Sequence, residues 1–126
     1  MNNMKKIMAL VLFLFMGLNA HTQGLLLHTG NDLIAAWHAF EKRREVPDNL
    51  SQALLNAIEV GKFEGYIKGL ADIGDYQEIY YFPEGVTNLQ ICMVVGKYLD
   101  EHPEELHLRA FLLAHKALAK AFPPQK

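Results

Sequence analysis

The sequence predicts an all-α protein: a small four-helix domain that follows an N-terminal signal peptide. Three observations carry this reading. Apolar residues recur three and four positions apart in four segments between residues 32 and 121, with Gly, Pro, Asn and Asp punctuating the gaps. The one short run with extended character, residues 79–82, has no second run to pair with. Finally, an uncharged apolar stretch at residues 7–18 stands behind Lys5 and Lys6 and ahead of Asn19 and Ala20, the pattern of a cleaved export signal.

That stretch is shorter than the roughly 20 apolar residues of a membrane span. Cleavage is expected near Ala20, giving a signal peptide at residues 1–20 and a domain at residues 21–126 with no membrane span. No cysteine follows the apolar run, which argues against a lipid anchor. Of 12 Lys+Arg, Lys5 and Lys6 leave with the signal, so ten face 14 Asp+Glu and the formal charge moves from −2 to −4. A basic footprint is missing, which excludes nucleic acid as a partner. Cys92 is the only cysteine, so no internal disulfide forms and packing alone must hold the domain.

The first helix is expected over about residues 32–44 with Asn31 as its N-cap. Leu33, Ile34, Ala36, Trp37 and Phe40 form one stripe, and Lys42, Arg43 and Arg44 load the negative end of the helix dipole. Residues 46–49, Val-Pro-Asp-Asn, then break the chain. The second helix is expected from Leu50 to Ile73, ending at Gly74, with Leu54, Leu55, Ile58, Tyr66, Ile67 and Leu70 as its apolar members. Gly61, Gly65 and Gly69 are four apart and share a face. Each costs about 1 kcal/mol against alanine in a helix interior, so the spacing predicts close packing of another helix, with a break near Gly61 as the other reading.

Residues 74–86 are expected to be the one sizeable loop, with turn chemistry at Pro83, Glu84 and Gly85. Thr87 and Gln90 form a capping-box signature for a third helix over residues 88–101, with Leu89, Cys92, Met93, Val95 and Leu99 on its apolar face. His102 and Pro103 end it. Pro103, Glu104 and Glu105 suit the first turn of a fourth helix reaching Ala121. Its inward residues are Leu106, Ala110, Leu113, Ala114, Ala117 and Leu118, and Phe122-Pro123-Pro124 stops it.

Little in this chain points to catalysis. The six histidines lack the spacing of a metal site, and no Cys-x-x-Cys, nucleophile elbow, phosphate loop or dinucleotide fingerprint occurs. Cys92 lies mid-helix among Ile91, Met93 and Val94, where an inert buried thiol is the natural reading. The expectation is therefore no enzyme activity, no metal and no cofactor. What remains is surface. Asp75, Tyr76, Glu78, Tyr80, Tyr81 and Glu84 mix aromatic and acidic groups in the loop, and Asp100, Glu101, His102, Glu104 and Glu105 form a second acidic segment. These are the candidate partner-binding residues, against the plainer readings that residues 80–82 tuck into the core and that residues 100–105 are a solvated junction. Tyr80→Ala or Glu84→Lys is expected to weaken binding without unfolding the protein.

An ordered series of motifs then stands out. Gly30-Asn31-x-Leu33 comes first, followed by Gly65-Tyr66-Ile67-x-Gly69-x-x-Asp72 and Phe82-Pro83-Glu84-Gly85-Val86-Thr87-x-x-Gln90. Val94-x-x-Lys97-Tyr98-Leu99-x-x-His102-Pro103-Glu104 and Ala117-Leu118-x-x-Ala121-Phe122-Pro123 complete it. Together they resemble the type VI secretion amidase-immunity (Rap/Tai) family over nearly all of the domain. The resemblance implies a small periplasmic helical protein, often a homodimer, that binds and inhibits a cognate secreted effector, typically a peptidoglycan amidase. The alternative is a periplasmic structural or chaperone-like binding module without a toxin target. Family members usually carry cysteines where this chain has Trp37, Phe63, Tyr81 and Pro124. If Trp37 corresponds to one partner of Phe63, and Tyr81 to one of Pro124, both halves of each bridge are replaced together, and Trp37 is expected to pack on Phe63.

Overall fold

The computed structural model describes residues 26–125, so the expected signal at residues 1–20 and its cleavage after Ala20 lie outside the described residues. Among the described residues there are four α-helices and no strand: α1 (Gly30–Glu41), α2 (Leu50–Tyr76), α3 (Asn88–Glu101) and α4 (Ala110–Ala121). Short 3₁₀ turns follow α1 at Lys42–Arg44 and α3 at Pro103–Glu105. α2 lies along α1 and α3, and α4 packs back on α3.

α1 begins two residues earlier than expected, and its cap is Thr29, not Asn31. The Thr29 hydroxyl accepts from the Asp32 N–H, while Asp32 Oδ2 accepts from the Thr29 N–H at 2.9 Å. This reciprocal capping box holds the Asp32 carboxyl below its usual range, mainly through that Thr29 amide. Tertiary contacts decide the register. The N–H groups of Gly30 and Asn31 donate to the carbonyls of Leu108 (2.8 Å) and Leu106 (2.9 Å), so donors that a helix start leaves unpaired are taken by a distant segment. Gly30 must be glycine for this approach, because a Cβ there would stand 2.8 Å from the Leu106 backbone.

The same contacts explain why the fourth helix starts late. The Leu106 and Leu108 carbonyls face α1, the Ala110 N–H donates to the His28 carbonyl at 2.9 Å, and Arg109 is extended in an isolated bridge with Thr29. A helix continuous from Pro103 would have used those carbonyls internally. Pro103–Glu105 is therefore a separate 3₁₀ turn.

α2 starts where expected, capped by Asn49, which accepts from the Gln52 N–H at 2.9 Å, and it runs unbroken through all its glycines to Tyr76. α3 matches its expected bounds and its Thr87–Gln90 capping box. The core is assembled from all four helices: Leu33, Trp37 and Phe40; Phe63 and Ile67; Cys92, Val95 and Leu99; Leu113, Ala114 and Leu118. Among the described residues no charged side chain is buried. Trp37 packs on Phe63 as expected, with ring centroids 5.6 Å apart, and Phe40 closes the aromatic triad at 5.4 Å from Phe63. The Trp37 indole covers Gly96 so closely that a Cβ there would overlap it.

The outer face of α2 departs from expectation. Among the described residues, nothing outside the helix's own neighbouring backbone lies within 4 Å of a Cβ built at Gly61, Gly65 or Gly69. The close packing expected there is not made by another helix of this chain; α2 instead buries Phe63, Ile67, Ala71 and Gly74 on its opposite side. Leu54, Leu55 and Ile58 are also exposed, Leu54 at 58 %. α2 therefore carries apolar side chains and glycines outward as well as inward.

Candidate partner-binding surface

The loop after α2 is shaped by how that helix ends. The Gly74 carbonyl accepts from the N–H groups of Ile79 (2.8 Å) and Tyr80 (3.3 Å), and Glu78 adopts a left-handed φ of 57°. Glycine is the usual residue at such a helix end. The reversal folds Tyr80 beneath α2, with its ring against Gly74, and its hydroxyl lies 2.7 Å from His115 Nδ1 on α4. Burial pushes the phenol above its ordinary value.

At 3 % exposure, Tyr80 is a core anchor, and its expected role as an exposed partner contact is corrected. Tyr80→Ala would remove a buried ring and lower stability, so its effect on binding would not report a surface contact. The helix runs three residues past its expected end at Ile73, so Asp75 and Tyr76 belong to the last turn of α2 and not to the loop. They and the remaining loop candidates face solvent. Tyr76 is 88 % exposed and Tyr81 42 %, with Asp75, Glu78 and Glu84 exposed beside them. Ile79 joins this surface; its apolar type gave no sign of it. Half-buried Phe82 fills the space between Tyr80 and Phe122, 4.8 Å from the latter. The Tyr81 N–H donates to the Phe122 carbonyl at 3.2 Å, tying the loop to the end of α4.

The second segment is largely engaged within the chain. Asp100 Oδ2 accepts from Trp37 Nε1 at 2.8 Å, and Glu101 pairs with Lys97 at 3.7 Å. Glu105 accepts from Lys116 Nζ (2.8 Å) and from the Tyr98 hydroxyl (2.9 Å). Lys116 first, then Tyr98, holds the Glu105 carboxyl below its usual range. Burial, with the Glu105 hydrogen bond and charge, pushes Tyr98 up to about 12. His102 stacks on Tyr98 at 4.0 Å, and its Nδ1 lies 2.8 Å from the Tyr98 carbonyl. Glu104 is exposed.

These two segments do not form one patch. The loop precedes α3 and the junction follows it, so the 14 residues of that helix separate them, a length of about 20 Å. The loop presents side chains outward, whereas the junction clasps α1, α3 and α4 together.

Cys92 is fully buried, and burial, followed by the Glu64 charge, pushes its thiol up to about 11. The thiol therefore stays protonated at neutral pH, the unreactive form. A chromogenic disulfide reagent is expected to leave the native protein unmodified and to titrate one thiol after denaturation; rapid labelling of the native state would contradict this.

The family model of the Rap1a immunity proteins matches residues 29–124. The match opens at the capping Thr29 and takes in all four helices, the loop and the junction. No curated protein matches the chain.

Proposed function

We propose, on the premise that the chain belongs to the Rap1a immunity protein family, that it neutralises a peptidoglycan amidase delivered by type VI secretion. It does so by stoichiometric binding in the periplasm, without catalysis of its own. The family match supports an immunity role against a secreted effector. The amidase identity comes from the motif resemblance, and the periplasmic location from the export pattern at residues 1–20. No described helix is long and apolar enough to cross a membrane.

The observation that carries the mechanism is the outward display of Tyr76, Tyr81 and Glu84 above the anchored Tyr80. An enzyme that cleaves a polymeric strand needs an open groove, and a projecting loop with aromatic anchors and acidic flanks can fill one. Acidic groups speed encounter with a basic groove, and buried aromatics supply residence time.

The test pairs the protein with a candidate exported effector drawn from its neighbouring genes. Co-expression is expected to rescue cells from that effector directed to the periplasm, and failure to rescue would sink the reading. In calorimetry, Tyr81→Ala and Glu84→Lys are each expected to weaken binding about tenfold or more, a cost of ~1.4 kcal/mol, with unchanged melting. Unchanged affinity across loop and junction variants would place the interface elsewhere.

The homodimer implied by the resemblance has a surface suited to it in the outer face of α2. Gly61, Gly65 and Gly69 leave that face open for close backbone approach, and Leu54, Leu55 and Ile58 supply exposed apolar area at one end. Light scattering is expected to give a dimer. Gly65→Leu, whose Cβ meets nothing within 4 Å among the described residues outside its own helix backbone, is expected to yield a folded monomer. A monomeric parent protein would end the dimer reading.

A further inference from the structure

We propose that His38, Glu41 and Asp100 form a binding site for a divalent transition-metal ion of the zinc class. His38 and Glu41 are three apart on α1 and so share a face. Asp100, near the end of α3, is brought to them by the packing of Trp37 on Gly96. One ligand atom from each of the three lies within 4.8 Å of the other two, and all three residues are exposed to incoming ions.

The geometry is closest to a metal site between His38 and Asp100. His38 Nε2 and Asp100 Oδ1 are 3.2 Å apart. Bonds of about 2.0–2.1 Å in a tetrahedral zinc site place neighbouring ligand atoms about 3.3 Å apart, so these two atoms need almost no adjustment. Glu41 closes the third position by a change in an exposed side chain, and solvent takes the fourth.

A further contact fixes the carboxylate. The Trp37 indole N–H, on a ring otherwise buried in the core, donates to Asp100 Oδ2 at 2.8 Å. That leaves Oδ1 turned toward His38. Hydrogen bonds of this kind to the non-coordinating oxygen are the usual support behind a metal-bound carboxylate. One imidazole with two carboxylates suits zinc, cobalt or nickel; magnesium and calcium prefer all-oxygen sets.

Lys42 lies one turn beyond His38 and lines the same groove, so its charge opposes a cation and favours micromolar over tighter affinity. A simple exposed His38–Asp100 ion pair is the competing account, and it would involve no Glu41 and no metal. When bound, the ion clips α1 to the end of α3.

The test uses the full chain prepared without a polyhistidine tag. Zinc titration calorimetry is expected to give one site per chain, and cobalt a visible absorption band that zinc displaces. His38→Gln, Glu41→Gln and Asp100→Asn are each expected to weaken binding at least tenfold. His107→Gln, an exposed histidine outside the cluster, is expected to leave it unchanged. Asp100→Asn keeps an oxygen for the Trp37 N–H, and melting without metal checks that each variant remains folded. The parent protein should melt at a higher temperature as zinc is added. Absence of a saturable single site at tens of micromolar metal would overturn the assignment. So would binding that survives in any of the three variants.

Discussion

Phe63→Ala is expected to lower stability by about 3–5 kcal/mol and to bring the protein close to unfolding, since a whole domain is stable by only about 5–15 kcal/mol. Phe63 is fully buried, and its ring meets Trp37 at 5.6 Å and Phe40 at 5.4 Å. Those two rings belong to α1, which has only 12 residues, too few to persist as a helix alone. Truncation thus leaves a cavity and also loosens the element that carries two of its walls. Phe63→Leu, which refills part of the space, should cost roughly half as much. Urea unfolding monitored by circular dichroism measures both. A loss below about 1 kcal/mol for the alanine variant would mean that the aromatic triad is not the centre of the core. The contact also bears on the resemblance. A missing disulfide forfeits about 2–4 kcal/mol, and a buried ring pair contributes about 0.5–1.5 kcal/mol beyond its buried area. Trp37 and Phe63 therefore offset part of what the bridge implied by the resemblance would supply at those positions.

Gly74→Ala is the second large effect, and it links fold to function. A Cβ at Gly74 would overlap the Tyr80 ring, and that ring is held by its hydroxyl at His115 and by two amides bonded to the Gly74 carbonyl. The ring must leave its seat, at a cost of about 1–3 kcal/mol for overpacking. Tyr81 and Glu84 follow in the same loop, so effector affinity is expected to fall together with the melting temperature. Gly65→Ala behaves oppositely in the monomer. Its Cβ meets nothing within 4 Å among the described residues outside its own helix backbone, and the helix gains about 1 kcal/mol of propensity. Thermal melts combined with calorimetry separate the two glycines; an alanine at 74 that leaves stability and affinity unchanged would refute the anchoring role of Tyr80.

The contrast between those glycines marks where the sequence was readable. Local signals were sufficient for α3, whose cap at Thr87 and Gln90 lies within four residues, and for the start of α2 at Leu50. They failed where distant groups decide. Thr29 and Asn31 are both good caps, and the choice between them rests on carbonyls at Leu106 and Leu108, far away in sequence. The glycine spacing predicted a packed face on α2, and no described helix of this chain packs there; spacing alone cannot say whether a neighbour comes from the same chain. In the loop, composition distinguishes none of Tyr76, Tyr80 and Tyr81; the helix-end reversal at Glu78 buries only the second. The acidic junction was visible as charge, yet the indole that holds Asp100, that of Trp37, is 63 residues away.

The pairing of Gly30 and Asn31 with Leu108 and Leu106 has a consequence for the order of assembly. A chain emerging N-terminus first makes α1 early but completes its cap only after residues 106–108 have followed. The start of the first helix is therefore completed by the segment that leads into the last one. The two ends of the domain are thus joined through backbone hydrogen bonds, and loss of the 106–108 segment would leave the first turn of α1 with unpaired donors.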